Sequence, residues 1–545
     1  MVLVGIVVAA GAGFLALSLF RSPAPAASPT NVAAHGSPTP GSSPGEATAS
    51  PVGGETPNPG KTPRPGRSPT PPPSDAPVGD VQMPLVPVVG FWSTDTQIGL
   101  DELRGALTGQ PGRYDRVVVS RDDRDAISAW LGSAVPDSVE AGDAEAIRQL
   151  VRNGALGLMR VSDVTPAVRA LAIGDAALFG EDRVPDISAW PLVIDVQAPL
   201  DQAWDQPKTW TLLAGGDMFL DRGVYREIVE RGKGVDHPFD GGTARVTGHH
   251  CCGEYVTTYP IPDIELTGNE GAVRKLTQGA DLTIANLENP VPDNWVYHPH
   301  DYVFSGNPEF LQSFVNAGVD YVSMANNHIK DMGTQAIADS RKNLEAAGLA
   351  YSGAGKNARE AGEIAYLQAK DTRIAIVACV SGMTGAAALA DANTSGGLDC
   401  RTRFTVPRIE KARRTADLVI VFAHWGIEYD RKPAELQRQL AQEWVDAGAD
   451  LILGAHSHVQ GAIEEIDGTV VLYSLGNLIF DQNWWTDSSE SYLAEMTFAG
   501  NQLVQLRLHP FVMVDQAMPA LLDPAKDDGK LVLKDTREAS DHLDW

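Results

Sequence analysis

Cysteine is scarce, with four in 545 residues, and a scaffold stapled by disulfides is excluded. Basic residues are in deficit: 43 Lys and Arg stand against 70 Asp and Glu, for a formal charge of −27. This argues against a nucleic-acid binder, whose affinity rests on cationic side chains neutralising phosphates, and against a basic patch gripping anionic lipid. Long uncharged apolar runs are lacking except at the very start. Proline is thin over most of the chain, because 16 of its 37 prolines fall between Ser22 and Asp80. The remainder is ordinary globular stock, 43% hydrophobic and 21% charged, long enough for about two to four folded units.

The exceptional run is MVLVGIVVAAGAGFLALSLF, residues 1–20, with no charge before Arg21. As a helix it spans roughly 30 Å, the thickness of a bilayer core. It reads as a membrane anchor; the alternative is a signal segment cleaved near Ala24-Pro25-Ala26, although the usual basic n-region is missing. No cysteine lies nearby to carry a lipid. Residues 21–82, rich in Pro, Ser, Thr and Gly, cannot bury enough apolar surface to offset chain entropy, and are expected to be an extended, disordered linker. A spacer of this kind suits a single-pass protein of the cell membrane with its folded part outside the cytoplasm.

Residues 83–205 mix strand-like runs, 86–91 and 116–120, with an amphipathic helical stretch at 143–150. A small accessory α/β domain is expected there, and no chemical motif stands out. From 208 to 515 one layout repeats. Thr211–Gly216 is followed by Asp217, and Asp281–Ala285 by Asn286-Leu287-Glu288. Tyr321–Ala325 is followed by Asn326-Asn327-His328, Leu418–Ala423 by His424-Trp425-Gly426, and Leu451–Ala455 by His456-Ser457-His458. Continuous apolar runs suit strands buried on both faces, and α/β sites gather beyond the carboxyl ends of such strands. Helix-like stretches at 334–347 and 435–447 lie between them. Taken singly, a His or Asp after a strand is usually structural. Five in succession supply two carboxylates, one carboxamide and three imidazoles, a donor set for Mn, Fe, Zn or Mg. The lack of cysteine in the set disfavours a structural zinc site.

This order of blocks resembles the calcineurin-like metallophosphoesterase superfamily, and within it the capsule-synthesis branch of CapA or PgsA-type proteins associated with poly-γ-glutamate. The matching residues are Gly216-Asp217 with Arg222; Asn286-Leu287-Glu288; Asn326-Asn327-His328 with Asp331 and Gly333; His424-Trp425-Gly426 with Glu428-Tyr429; Gly454-Ala455-His456-Ser457-His458; and Tyr473-Ser474-Leu475-Gly476-Asn477. The resemblance covers about 300 residues and leaves the first 200 outside it. It implies an αββα sandwich, preceded by the small α/β domain, the linker and the membrane helix. It also implies one or two divalent ions: Asp217 and His458 on one, Asn327, His424 and His456 on the other, and Glu288 bridging. His328 corresponds to the histidine that stabilises or protonates a leaving group. Arg222 and Asn477 are placed to hold substrate oxygens, with Glu428 beside them, and Asp331 to fix His328 or cap the next helix. Two departures stand out. Phe219 occupies the position, two residues after the first-motif Asp217, where the superfamily usually has a histidine, and Glu288 replaces the usual bridging Asp.

The function implied is envelope-anchored synthesis, anchoring or export of an anionic capsular polymer, within a membrane-bound capsule-synthesis complex. The alternatives are a metal-dependent phosphodiesterase or phosphatase acting on an envelope phosphoester, and a catalytically silent metal-binding scaffold. Three further features carry expectations of their own. Cys379 and Cys400 flank a small-residue loop and are able to pair in an oxidising compartment. His249-His250-Cys251-Cys252 reads as a loop or a disulfide rather than a zinc site. Residues 516–545 read as a charged peripheral tail.

Overall fold

Strands of Val, Ile, Leu and Ala with no solvent-facing side must find a core on each face, and the architecture follows from that requirement. The computed structural model describes residues 76–252, 259–300 and 302–545. Among them lie a ten-stranded and a six-stranded sheet stacked face to face, and a further six-stranded sheet formed by the segment that precedes them. The described residues fall within one compact unit, Pro63–Trp545. The protein is a mixed α/β fold.

The central strand of the large sheet is Thr209–Met218, buried along its whole length. It runs parallel to Leu282–Leu287, which is parallel to Tyr321–Ser323, and antiparallel to Glu490–Ala499. In the facing sheet Thr372–Val380, Leu418–His424 and Leu451–Ala455 are mutually parallel. Alternation divides their side chains between cores. Trp210, Leu212, Ile284, Ile376, Ile420, Phe422 and Leu453 meet between the two sheets. Leu213, Ala285 and Leu287 face outward to the helices Ala272–Gly279, Leu311–Asn316 and Thr334–Ala347. On the other side Val377, Val419, Val421 and Ile452 face Thr402–Arg413 and Glu435–Ala447. The result is a helix–sheet–sheet–helix layering. Each buried Val, Leu or Ile contributes about 1.5–3 kcal/mol, so these shared cores dominate the stability of the sandwich.

The helical stretches expected at 334–347 and 435–447 are helices over those spans, each ended by a left-handed glycine, Gly348 (φ 80°) and Gly448 (φ 111°). Glycine adopts that conformation without a Cβ clash and closes the last turn. The preceding segment contains the expected strands and helix as Val78–Gly90, Val117–Ser120 and Ala144–Arg152. The expected linker is shorter than 21–82, because the chain is already a strand at Val78. There it pairs with Val193–Pro199 and buries Val81. The membrane-helix reading of residues 1–20 and the rest of the linker lie outside the described residues. Among the described residues no helix is long and apolar enough to cross a membrane.

The expected peripheral tail is instead part of the fold. Met518–Leu522 pairs with Gln502–Val514, and the helix Asp527–Ala539 buries Val532, Leu533, Thr536 and Ala539 at helical spacing. Its many charges concealed that stripe. Cys379 and Cys400 form a disulfide, and Cys251 is bonded to Cys252. Trp545 joins the two parts of the structure. Its ring packs edge-on against Phe91 at 5.1 Å, and its indole N–H donates to Glu465 at 2.7 Å. Trp545→Ala is expected to lower the unfolding free energy by about 3 kcal/mol, the usual cost of emptying a buried indole site. Urea denaturation with an unchanged m-value would show it; a loss below 1 kcal/mol would mean that Trp545 is not part of the core.

Candidate metal centre

The chemistry-bearing residues converge where the parallel strands of both sheets end. Asp217 is the penultimate residue of its strand and sits opposite Asn286 on one neighbour and Asn477 on another. This contact requires glycine: a Cβ on Gly216 would lie 1.8 Å from the Gly476 carbonyl oxygen. His424 closes its own strand, and Gly454 on the next strand has the same requirement against the Tyr473 carbonyl oxygen, at 1.9 Å. Beyond Ala455 the backbone enters the left-handed region twice, at His456 (φ 97°) and His458 (φ 59°). Few non-glycine residues sit there, and such strain is typically held at functional positions. These two turns send both imidazoles back over the strand ends. The His456 N–H donates to Asp217 Oδ2 at 3.2 Å and so joins one sheet to the other.

Asp217 and Glu288 are fully buried, and among the described residues no Lys or Arg pairs with either. Their only amide link is Asn286, whose Nδ2 donates to Asp217 Oδ1 at 2.8 Å and to Glu288 Oε2 at 2.6 Å. Burial, with the Asp217 charge adding, pushes the Glu288 carboxyl well above the usual carboxylate range. The imidazoles are pushed the other way by burial and by one another: His424 well below its ordinary value, and His456 down to about 3. They are therefore neutral, with lone pairs available for a metal.

The donor atoms form two adjoining groups. Single ligand atoms of Asp217, Glu288 and His458 all lie within 4.8 Å of one another. Around His424, Nε2 is 2.6 Å from Asn327 Oδ1, 3.1 Å from His456 Nδ1 and 3.6 Å from Glu288 Oε1. Glu288 Oε1 and Asn286 Oδ1 are buried without a hydrogen-bond partner. A buried carboxylate oxygen without a donor costs on the order of a few kcal/mol. One carboxylate with an orphaned oxygen beside a second buried carboxylate, with neutral imidazoles at His424 and His456 and no side-chain cation, fits a divalent ion chemically and fits an apolar cavity poorly.

His328 stands at the rim. Its Nδ1 meets Asp331 Oδ2 at 2.8 Å, its Nε2 lies 4.0 Å from Glu288 Oε1, and its ring stacks on Phe304 at 4.0 Å. Asp331 also accepts the Phe304 N–H at 2.9 Å, so it anchors both the ring and the surface beneath it. Arg222 is committed elsewhere. Its guanidinium forms a bidentate pair with Asp481 and lies over Phe219, Phe304 and Phe480. Asn477 turns its oxygen to His458 Nδ1 at 2.9 Å and its amide to Gln482 and the Ser488 carbonyl, so it orients a histidine. Glu428 is exposed at the mouth beside Tyr429, whose ring is 6.1 Å from that of His458.

Two residues were not singled out from the sequence. Asn286 was visible only as the first member of Asn-x-Glu, and its two-way amide needs the paired strands to be seen. Asp481, the partner of Arg222, carries no local signal. Phe219, in place of the usual histidine, stacks on Phe480 with ring centres 4.6 Å apart and fills the space with apolar surface. A cleft of about 640 Å³ lies at the opposite strand ends, where Arg152 pairs with Asp544 and Arg413 with Asp450. It holds none of this constellation.

Comparison with known proteins agrees with the geometry. The family described as bacterial capsule synthesis protein PGA_cap matches residues 211–482, the span that holds Asp217, Glu288, Asn327, His328, His424, His456 and His458. The PGA biosynthesis protein CapA of Bacillus subtilis is 34% identical over 259 residues, covering 47% of this chain and 67% of that one. This chain belongs to the PGA_cap family. The capsule biosynthesis protein CapA of Bacillus anthracis is 28% identical over 366 residues, 66% of this chain and 80% of that one. A probable polyglutamine synthesis accessory protein of Mycobacterium tuberculosis is 25% identical over 324 residues, 56% of this chain and 85% of that one. Among solved structures, a Mycoplasma pneumoniae phosphatase aligns at TM-score 0.32 with 12% identity, over 59% of this chain and 99% of that one.

The buried carboxylates of this PGA_cap chain generate a prediction with two signs. With chelator present, Glu288→Gln should melt at or above the wild type, because it removes a buried charge while keeping the acceptor for Asn286. With Mn(II) added, the wild type should rise in melting temperature by more than the variant, since the variant has lost the stabilisation that binding at this centre gives the native state. A wild type indifferent to every divalent ion would remove the metal centre. Asn286→Ala should weaken Mn(II) binding about 10- to 100-fold, as expected for a residue that orients ligands; calorimetry measures it.

Proposed function

We propose that this chain serves the synthesis, anchoring or export of an anionic capsular polymer of poly-γ-glutamate type, using a divalent-metal centre of metallophosphoesterase kind at the strand ends. The observation that carries the reading is the pair of buried carboxylates, with no cation beside them and one oxygen of Glu288 orphaned, facing the neutral imidazoles of His424 and His456. The names of the Bacillus relatives supply the polymer. The layering of two sheets between helices and the six ordered motif blocks support the phosphoesterase kinship. The proposed place of action is the outer face of the cell membrane. The apolar run at 1–20 would be the anchor and the Pro-rich linker the spacer, and a membrane-bound capsule-synthesis complex would be the partner.

Divalent ions held by Asp217, Glu288, His458, Asn327, His424 and His456 would polarise phosphoryl oxygens and activate water. The protein's own contribution is then geometric. Asn286 holds the two carboxylates at fixed separation. Asn477 fixes the ring of His458. Asp331, on Nδ1 of His328, leaves Nε2 pointing into the site as the group that gives a proton to a leaving oxygen. Arg222, paired with Asp481 between aromatic rings, shapes the wall and is not the group that grips substrate. Apart from Arg222, the catalytic assignment follows the family resemblance residue by residue.

The purified chain, loaded with Mn(II), should hydrolyse bis(p-nitrophenyl) phosphate, and His328→Ala should cut kcat by about 10²- to 10⁴-fold, the usual worth of a positioned acid. Bound metal per chain, measured by elemental analysis in the same preparation, should not change. Full metal with an inert wild type would leave the site a metal-binding scaffold, the reading that the Phe219 substitution favours.

A further inference from the structure

A second cluster of ligand-type residues lies outside the strand-end centre. His249 is the penultimate residue of the strand Thr243–His250, Glu490 begins the strand Glu490–Ala499, and Asp528 is in the first turn of the helix Asp527–Ala539. Three segments distant in sequence bring one imidazole and two carboxylates together, with single donor atoms within 4.8 Å of one another. His249 Nε2 is 2.9 Å from Asp528 Oδ2. The carboxylates are nearly inaccessible, Glu490 at 6% exposure and Asp528 at 5%, whereas the His249 side chain keeps 34%.

The independent observation is an orphaned atom. Glu490 Oε1 is buried and has no hydrogen-bond partner, and neither has Asp528 Oδ2 apart from its approach to the histidine. The charge of Arg431 reaches Glu490, but its guanidinium is paired with Asp487 at 2.5 Å and Asp535 at 3.5 Å, and its Nε, like Glu490 Oε1, has no hydrogen-bond partner. Two facing buried carboxylates therefore require either a shared proton or a cation.

We propose that His249, Glu490 and Asp528 form a second divalent-cation site, with solvent completing the coordination on the exposed side. One imidazole nitrogen and two carboxylate oxygens suit a borderline ion of the Zn(II) or Mn(II) class, and the half-open His249 gives it a way in. The ion would be structural. It ties the helix Asp527–Ala539 and the hairpin strand Thr243–His250 to the strand that follows Trp485 and Thr486–Ser489. That stretch touches the mouth of the main site: Trp485 packs on Tyr259 at 4.9 Å and on Tyr429 at 5.7 Å, and the Ser488 carbonyl receives Asn477.

The test uses the whole chain carrying Asp217→Asn and Glu288→Gln, so that the main centre has no carboxylate. After chelator stripping, zinc is titrated by calorimetry and counted by elemental analysis. One equivalent is expected, with a zinc-dependent rise in melting temperature. Adding His249→Ala, a change at a partly exposed strand end, should weaken binding at least about 100-fold, more than loss of a residue that merely orients a ligand, and abolish the rise. Glu490→Gln should do the same. No zinc bound in the double variant, or unchanged binding after His249→Ala, would overturn the proposal and leave a shared proton as the occupant. Because His249→Ala and Glu490→Gln are compared with their own parent, the binding they remove is independent of whatever zinc the histidines of the main centre still hold.

Discussion

Two carboxylates that cannot reach water organise this structure. Asp217 and Glu288 are packed at the ends of adjacent parallel strands and joined only through the amide of Asn286. Leaving both ionised without a cation opposes folding by several kcal/mol in order of magnitude. Everything around them answers that constraint. His424 and His456 are held neutral by burial, so they add donors without adding charge. The glycines at 216 and 454 let neighbouring strands approach closely enough to place those donors. The left-handed backbone at His456 and His458 turns them inward at a local cost that only a tightly packed surround sustains.

The same constraint explains the division of labour between the sheets. One contributes the acidic side of the site through Asp217 and Glu288, the other the histidines through His424, His456 and His458. Neither half has a reason to exist alone. They are bridged by the His456 N–H on Asp217 Oδ2, by His424 with Asn327 and by His458 with Asn477, set on the inter-sheet core of Trp210, Ile284, Phe422 and Leu453. Packing between the sheets thus fixes the distance between the groups that share a ligand, and a cavity opened in that core would be felt at the site as lost geometry as well as lost stability.

Much of this was legible in the sequence, for identifiable reasons. Apolar runs ending in Asp217, Glu288, His328, His424 and His456 are buried parallel strands because their side chains have no polar face to expose. The helices at 334–347 and 435–447 are marked by periodicity and a terminal glycine. What escaped notice has no local signature. Asn286 is a common residue until two strands place it between carboxylates. Arg222 looks like an anion-binding group until Asp481, 259 positions away, is seen to hold it. The Asp527–Ala539 helix reads as a charged tail because its buried stripe is narrow and its charges are many.

That helix also bears on the role of the substituted first motif. With Phe219 stacked on Phe480 in place of a histidine, the Asp217 side of the centre has one imidazole, His458, and depends on how firmly that ring is held. Its support runs outward from His458 to Asn477, from Asn477 to the Ser488 carbonyl, and two residues further to Glu490, which faces the helix. A weaker ligand set places more weight on the residues that orient what remains. The segment that looks least important in the sequence therefore closes the chain of contacts on which the His458 side of the strand-end site rests.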